Sequence, residues 1–481
     1  MSLKKFKESI ILYSSGTIVS RLSSFLLVPL YTHILSVEEY GLLSTLLISS
    51  QLLITIIDFG VMPSIIRMTP EIITSNKEGK FLGTVLTINI ISGLILSIII
   101  LFFFQSLIIS SFNTNISFST LILFCLMSFT QAVGLNLITY FRASEQNKKF
   151  TFYSIISTFT LLLLNIIALY FFKLGINGIL LANTISYLIF AVMISFKLNT
   201  QYSLSFDLLI AFRTLKYGVP LIFTRSSDLV VATTGVYFLG MYTDFKSVGL
   251  YSLALKYCAV LQVLFLLPFQ LTFEPYLFNN LKDENLIENL RKIINFFILI
   301  FLLLATALII VTRDFITVIA PKEYSDSYIL IIYILPIYAI QGLQHIFQSF
   351  IHIKKKTYIT GILSVIISII SLILNYLLIK EFGIGGILSV KYFNEVFFLI
   401  LLSYFSYKFF NNLKINLSTI LLSFLSYVVF SFILVKIIHF STFKYYLISS
   451  FIMTIILAYF FITKQISYNQ LKNLLKVKEN T

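Results

Sequence analysis

The sequence predicts an all-α, polytopic membrane protein of about 14 transmembrane helices, arranged as two repeated six-helix bundles followed by an additional C-terminal helix pair. Three observations carry that prediction. Apolar runs long enough to cross a bilayer recur along the whole chain. The lysines and arginines between them fall alternately into rich and poor strips. Short motifs return at a fixed spacing of 208 residues.

A bilayer core takes roughly 20 mainly apolar residues as a helix. Fourteen segments qualify, at 10–32, 40–62, 81–104, 118–140, 151–172, 175–196, 218–240, 248–272, 293–312, 327–350, 358–379, 383–405, 417–438 and 444–463. The composition agrees: 58% of residues are hydrophobic, 11% are charged, and the mean hydropathy is +0.95. An average soluble domain has about 45–50% apolar and about 25% charged residues. Leucine, isoleucine and phenylalanine follow one another without the alternation of barrel strands, so the spans are helices. The first of them, after the basic opening MSLKKFKESIILYSSG, has no A-x-A-like cleavage site and reads as a retained span.

The net charge of +15 sits in the short connections. With the N-terminus inside, the inner strips hold 24 lysines and arginines, and the outer strips with the adjoining span ends seven. That asymmetry predicts a bacterial inner (cytoplasmic) membrane protein with both termini cytoplasmic. Nucleic-acid binding, which needs basic residues clustered on one solvated face, is excluded. Lys354, Lys355 and Lys356 read as such a lipid-facing strip. No connection exceeds about 20 residues, so there is no room for a catalytic domain outside the membrane. No phosphate-binding G-x-x-x-x-G-K-[ST] loop occurs. Cys125 and Cys258 lie in apolar stretches as packing residues, and His33, His345, His352 and His439 form no ligand-like cluster, so neither metal nor cofactor is expected.

SVEEYGLLS at 36–44 aligns with DFKSVGLYS at 244–252, and KLGINGILLAN at 173–183 with EFGIGGILSVK at 381–391, both at a shift of 208. The shift places Gly41 on Gly249, Gly175 on Gly383 and Gly178 on Gly386. Six spans precede it, an even number, so the halves insert in the same orientation. Parallel repeats of this kind mark transporters that rock about a site between the halves. The expected divisions are residues 1–197, residues 198–416, and residues 417–481 for the added pair and a cytoplasmic tail. Pro29 and Pro220, in the first helix of each half, are either bending points or static kinks.

Charges inside hydrocarbon cost about 2.5–3.5 kcal/mol each on insertion scales, so those that persist need a partner or a hydrated cavity. Span 1 has a polar stripe of Ser14, Thr17, Arg21 and Ser24, and span 2 one of Ser44, Gln51, Thr55 and Asp58. Span 7 carries Arg225 and Asp228, and span 8 carries Lys256. Span 10 has Gln341, Gln344, His345 and Gln348, span 11 has Ser364, Ser368, Ser371 and Asn375, and span 12 has Lys391 and Glu395. One reading is a cavity in which Arg21, Arg225, Lys256 and Lys391 receive a pyrophosphate head group. Asp58, Asp228 and Glu395 then serve ion coupling, and the glutamines, His345 and Asn375 line the wall. The other reading is structural. Arg225 with Asp228, and Lys391 with Glu395, stand three and four residues apart and neutralise themselves on their own helices, while the serine and asparagine stripes hold helices together. Spacing leaves both open.

Ser20-Arg21, LSVEEYGLLS at 35–44, and Asp58-Phe59-Gly60 with Arg67 beyond resemble the opening of the polysaccharide-biosynthesis (Wzx-type) flippases of the MATE-like multidrug/oligosaccharidyl-lipid/polysaccharide exporter (MOP) superfamily. The segments from Asn165 to Gly178 and from Asn375 to Gly386 resemble that family's span 5–6 and 11–12 turns. The resemblance implies a V-shaped pair of six-helix bundles that flips undecaprenyl-pyrophosphate-linked oligosaccharide for O-antigen, capsule or a related polymer, driven by an ion gradient. It places Arg21 at the head group. It implies membrane lipids, polysaccharide polymerase and chain-length proteins as partners. Two rivals share the fold: a lipid II flippase, and a multidrug/cation antiporter, whose cationic cargo favours an acidic cavity rather than four cations against three acids. An enzyme acting on the lipid-linked sugar would need a larger outer loop than this chain has.

Overall fold

A computed structural model describes residues 25–104, 116–202, 204–279, 286–354 and 356–409. The expected spans 13 and 14, the residues before Phe25 and the candidate Arg21 lie outside them. The described chain is helical, with no strand among the described residues.

The helices are α1 Phe25–Ile34, α2 Val37–Asp58, α3 Val61–Thr74, α4 Glu78–Ile99, α5 Phe118–Ala143, α6 Asn147–Ile166, α7 Gly175–Tyr202 and α8 Leu208–Tyr242. They continue with α9 Phe245–Leu261, α10 Leu267–Asn279, α11 Leu286–Ile319, α12 Ser327–Ile353, α13 Thr357–Phe382 and α14 Ile384–Phe409. Turns of π-helix extend α4 and α6 and join α9 to α10. Among the described residues ten helices are long and apolar enough to cross a membrane, and they coincide with the expected spans 2–6 and 8–12. The seventh expected span lies within α8, which begins ten residues earlier than expected.

Local chemistry explains the helix starts. Ser36 caps α2: its Oγ accepts from Glu39 N at 3.2 Å, and Glu39 Oε2 accepts from Ser36 N at 2.9 Å. This reciprocal box satisfies two of the N–H groups a helix start leaves open. Asp207 caps α8 through Leu209 N and Ile210 N at 3.0 and 3.1 Å. Those two N–H groups, that of Ile210 first, hold its carboxyl below the usual aspartate range, helped by Lys80 and Lys77. Pro220 lies inside α8 without ending it, and α1 likewise runs through Pro29.

The helices pack as two units. The first contains the described residues up to Ser252 together with Ser364–Val390. Its core has one cluster around Val61, Phe81, Leu137, Tyr140 and Ile194, and another around Leu53, Ile57, Phe124 and Leu180. The polar groups inside it are mostly paired. Tyr31 Oη donates to Asn165 Oδ1 at 2.9 Å, Asn165 Nδ2 donates to Asn183 Oδ1 at 3.0 Å, and Asn375 Nδ2 donates to Thr234 Oγ1 and Ser371 Oγ at 3.1 Å. Outward rows such as Ile366, Ile369 and Ile373 on α13 are exposed at helical spacing, the face that meets lipid.

Positions 208 apart play matching parts in this unit. Ser36 caps α2, and Asp244 Oδ1 accepts from Ser247 N at the start of α9. A Cβ on Gly41 would overlap Phe245 O, and a Cβ on Gly249 would overlap Val37 O. The clash is reciprocal, and Val37 and Phe245 are themselves 208 apart. Gly175 and Gly383 both have a left-handed backbone, at φ 56° and 52°.

The second unit contains Leu253–Leu363 and the described residues from Lys391 onward. Phe265, Phe269, Phe297 and Phe301 stack in its core, with ring centroids 4.5–6.3 Å apart. Ser406 Oγ donates to Phe347 O at 2.8 Å, tying α14 to α12. Both cysteines are buried: Cys125 lies in the first unit and Cys258 in the second.

Candidate functional site

The richest polar arrangement forms where α2 breaks. Phe59 and Gly60 both take left-handed backbone, at φ 49° and 76°, and the chain restarts as α3. Asp58 is the last residue of α2, and its Oδ1 accepts from Met62 N at 2.9 Å. Gly60 lies against the backbone of Gly218 on α8, two residues before Pro220, closely enough that a Cβ on either would overlap the other. Ser64 Oγ donates to Thr214 O at 2.8 Å. The broken helix is therefore fastened along α8, and this brings Asp58 to Arg225.

Arg225 Nη1 stands 3.5 Å from Asp58 Oδ2, and its Nη2 donates to Met62 Sδ at 3.5 Å. The pair is lopsided: the Asp58 side chain is 8% exposed and the Arg225 side chain 42%. Asn136 on α5 is buried beside the same carboxylate. The arginine's ion pair is thus with the end of α2 and not with Asp228 on its own helix, which removes one of the two structural pairings its spacing allowed. Asp228 instead lies beside Ser364 of α13. Asp58 is buried in protein, as are Ser44 and Thr55 of its stripe, while Gln51 is exposed.

In the second unit Glu395 is held at both oxygens. Gln341 Nε2 donates to Oε1 at 2.6 Å and Gln344 Nε2 to Oε2 at 2.8 Å, the latter also reaching Glu395 O. Lys391 lies one turn before it on α14. Lys256 on α9 is partly buried and has no ion-pair or hydrogen-bond partner among the described residues. His345 and Gln348 are partly buried on α12. Glu274 of α10 meets the same helix further along, 3.6 Å from His352 Nδ1. Among the candidates the structure joins Asp58 to Arg225, and Gln341 and Gln344 to Glu395; the rest are divided between the two units. Asp58, Arg225, Asp228 and Asn375 belong to the first unit, and Lys256, Gln341, Gln344, His345, Gln348, Lys391 and Glu395 to the second.

Sequence reasoning missed Asn136, Met62 and Gly218 around Asp58. Asn136 was findable as a lone amide within the apolar run of α5. The facing of Gly218 and Gly60 has no signal along the chain.

Comparison with known proteins bears on this arrangement. The profile of a family described as polysaccharide biosynthesis protein matches residues 6–281, which hold Asp58, Arg225 and Lys256. No curated protein sequence matches the chain. Among solved structures, the lipid II flippase MurJ in an inward closed conformation superposes with a TM-score of 0.72 at 17% identity, over 94% of this chain and 98% of that one. An inward-facing multidrug resistance MATE family transporter of the MOP superfamily gives 0.65 at 12% identity, over 86% and 96%. The Vibrio cholerae MATE transporter VcmN in its bent form gives 0.55 at 13% identity, over 85% and 98%. At these identities the likeness shows the fold: a polytopic helical membrane protein of the MurJ and MATE type. The family match covers more than half of the sequence, and the chain belongs to the polysaccharide biosynthesis protein family.

Proposed function

We propose that this protein is a flippase that moves an undecaprenyl-pyrophosphate-linked oligosaccharide from the cytoplasmic to the outer leaflet of the bacterial inner membrane, by alternating access and driven by an ion gradient. The observation that carries the reading is Arg225: a guanidinium within the seventh span expected from the sequence, two-fifths exposed, held by an acid that is itself buried. An arginine left reachable in this way offers a planar fork of donors to phosphate oxygens. Lys256, in the other unit, partly buried and unpaired among the described residues, is a further candidate for the phosphate, and Lys391 and Arg21 complete the candidate set. Membership of a polysaccharide biosynthesis family favours a sugar-bearing lipid over a cationic drug. The two repeats of residues 1–197 and 198–416 would rock about the site, with residues 417–481 as an added pair. The role is transport without bond chemistry, in a membrane where polymerase and chain-length proteins use the flipped units.

The test is made in cells whose surface polymer depends on this protein. Arg225→Ala and Lys256→Ala should each lower the polymer to about a tenth of wild type or less, since a charged hydrogen bond contributes about 1.5–3 kcal/mol. The variant proteins should reach the membrane in normal amount, and the lipid-linked sugar should accumulate unflipped. Arg21→Ala should behave alike. Normal polymer in an Arg225→Ala/Lys256→Ala double variant would overturn the reading. Accumulation of a peptidoglycan precursor, with the surface polymer untouched, would move it to the lipid II class.

A further inference from the structure

We propose that Asp58 occupies Arg225 in place of the substrate phosphate, and that phosphate arriving at Arg225 releases Asp58 to take up one proton, so that substrate binding and proton uptake occur as one exchange. The proposal rests on the phosphate-binding role of Arg225 argued above and adds a role for the acid.

Four observations support it. The ion pair is 3.5 Å long and joins one end of α2 to the middle of α8. The acid is fixed, because Met62 N donates to its Oδ1 and the backbone around it is locked by Gly60 against Gly218 and by Ser64 Oγ on Thr214 O. The arginine is not fixed in this way: besides Asp58 its described partner is the thioether of Met62, a weak acceptor, and its side chain is 42% exposed. Arg225 is thus the member of the pair that can leave. Finally, among the described residues no other charge stands ready to replace it. Arg225 is the charged group acting on Asp58, α3 supplies the Met62 N–H, and α5 supplies the neutral amide of Asn136. The one arginine of α3, Arg67, is engaged with Glu71 at 2.9 Å.

The consequence follows from the cost of buried charge. A carboxylate shielded from water and deprived of its counter-charge takes up a proton rather than stay ionised. The balance is simple. The guanidinium keeps its charge and changes partner from carboxylate to phosphate oxygen. The carboxylate becomes a carboxylic acid, with the proton drawn from solvent on the side from which the phosphate came. Asn136, buried beside the carboxylate, is a neutral amide whose N–H suits the ionised acid and whose carbonyl oxygen, after a flip of the amide, suits the protonated one. Departure of the phosphate on the other side restores the ion pair and discharges the proton there, so the proton travels with the head group and the gradient that drives the cycle is the membrane potential acting on the net negative charge that leaves. Asp58 is in this view a positioning and coupling residue that never touches the substrate.

The experiment uses the purified full-length protein in detergent, with inorganic pyrophosphate as the probe. Binding is measured by calorimetry in two buffers of different ionisation enthalpy, which yields the protons taken up per ligand. Wild type should take up about one proton more than Asp58→Asn, the pyrophosphate's own protonation cancelling between them. Asp58→Asn, freed of the competing charge, should bind pyrophosphate about three- to tenfold more tightly. Arg225→Gln should lose binding. Asp58→Asn/Arg225→Gln, matched to wild type in thermal midpoint, serves as the folded control and should neither bind nor take up protons. Equal affinity and equal proton uptake in wild type and Asp58→Asn would overturn the exchange while leaving the phosphate reading intact. Unchanged binding in Arg225→Gln would instead overturn the phosphate reading, and the exchange with it.

Discussion

At the scale of single residues, the interior polar groups divide by what satisfies them. The Tyr31, Asn165 and Asn183 chain runs inside the protein from one polar side chain to the next: each contact is 2.9–3.0 Å, and all three residues are buried. Such a network holds helices together, and its loss leaves amide groups unpaired in the membrane interior. Asn165→Leu should therefore lower stability by about 1–2 kcal/mol, read as an earlier unfolding midpoint in mixed micelles, with little change in transport per folded molecule. A transport loss exceeding the loss of folded protein would contradict that assignment. Glu395 is the second-unit counterpart in kind, an acid held by Gln341 and Gln344. Arg225 differs because its pairing spans a buried acid and an exposed base. How far this was legible is instructive. Spacing along one helix singles out Arg225 and Asp228 as neighbours, but it carries no information about which other helix approaches. The real partner, Asp58, lies 167 positions away on a different element. The same blindness hid Asn136 beside Asp58 and the clamp of Gln341 and Gln344 on Glu395. The sequence marked the charged residues; the packing chose their partners.

At the scale of elements, caps and glycines set where helices start and how closely they cross. The spans were readable because bilayer thickness fixes their length and apolar runs of that length are unmistakable. The start of α8 was placed ten residues late, because a cap such as Asp207 adds no hydropathy and Leu208 begins only a short apolar run. That cap has a pH signature. Its depressed carboxyl contributes stability that is fully present above the ordinary aspartate value of 3.8 and is lost as pH falls through its lower folded value. An Asp207→Asn variant should accordingly lose less stability than wild type on acidification below about pH 4, followed as the thermal midpoint across a pH series. Parallel curves would refute the cap's role. The helix crossing of α2 and α9 makes a sharper claim. Gly41→Ala and Gly249→Ala each thrust a methyl into the partner's backbone and should each cost about 1–3 kcal/mol or more. Gly385→Ala, whose added methyl would have its nearest neighbour at 4.0 Å, should be neutral or stabilising. Folded yield from detergent extracts compares the three. Equal tolerance would mean that α2 and α9 do not approach as described.

At the scale of the whole molecule, the matching roles of Ser36 and Asp244, Gly41 and Gly249, and Gly175 and Gly383 show a 208-residue echo written into the backbone as well as the letters. The echo was legible because these glycines mark close crossings and left-handed turns, where a side chain is crowded or strained, and so stand out among interchangeable apolar residues. The family match and the MurJ- and MATE-like fold place that architecture in a polytopic membrane protein of the polysaccharide biosynthesis family. The claim on which everything else turns is that a phosphate-bearing lipid head group passes by Arg225. The most direct measurement is lipid scrambling in proteoliposomes: a fluorescent undecaprenyl-pyrophosphate-linked sugar on one leaflet, an impermeant quencher or lectin on the other side, and an imposed membrane potential. The account predicts transfer by wild type, transfer reduced to about a tenth or less by Arg225→Ala, and none for a lipid whose head group carries sugar but no phosphate. Transfer of the phosphate-free lipid at the wild-type rate, or undiminished transfer by Arg225→Ala, would contradict it.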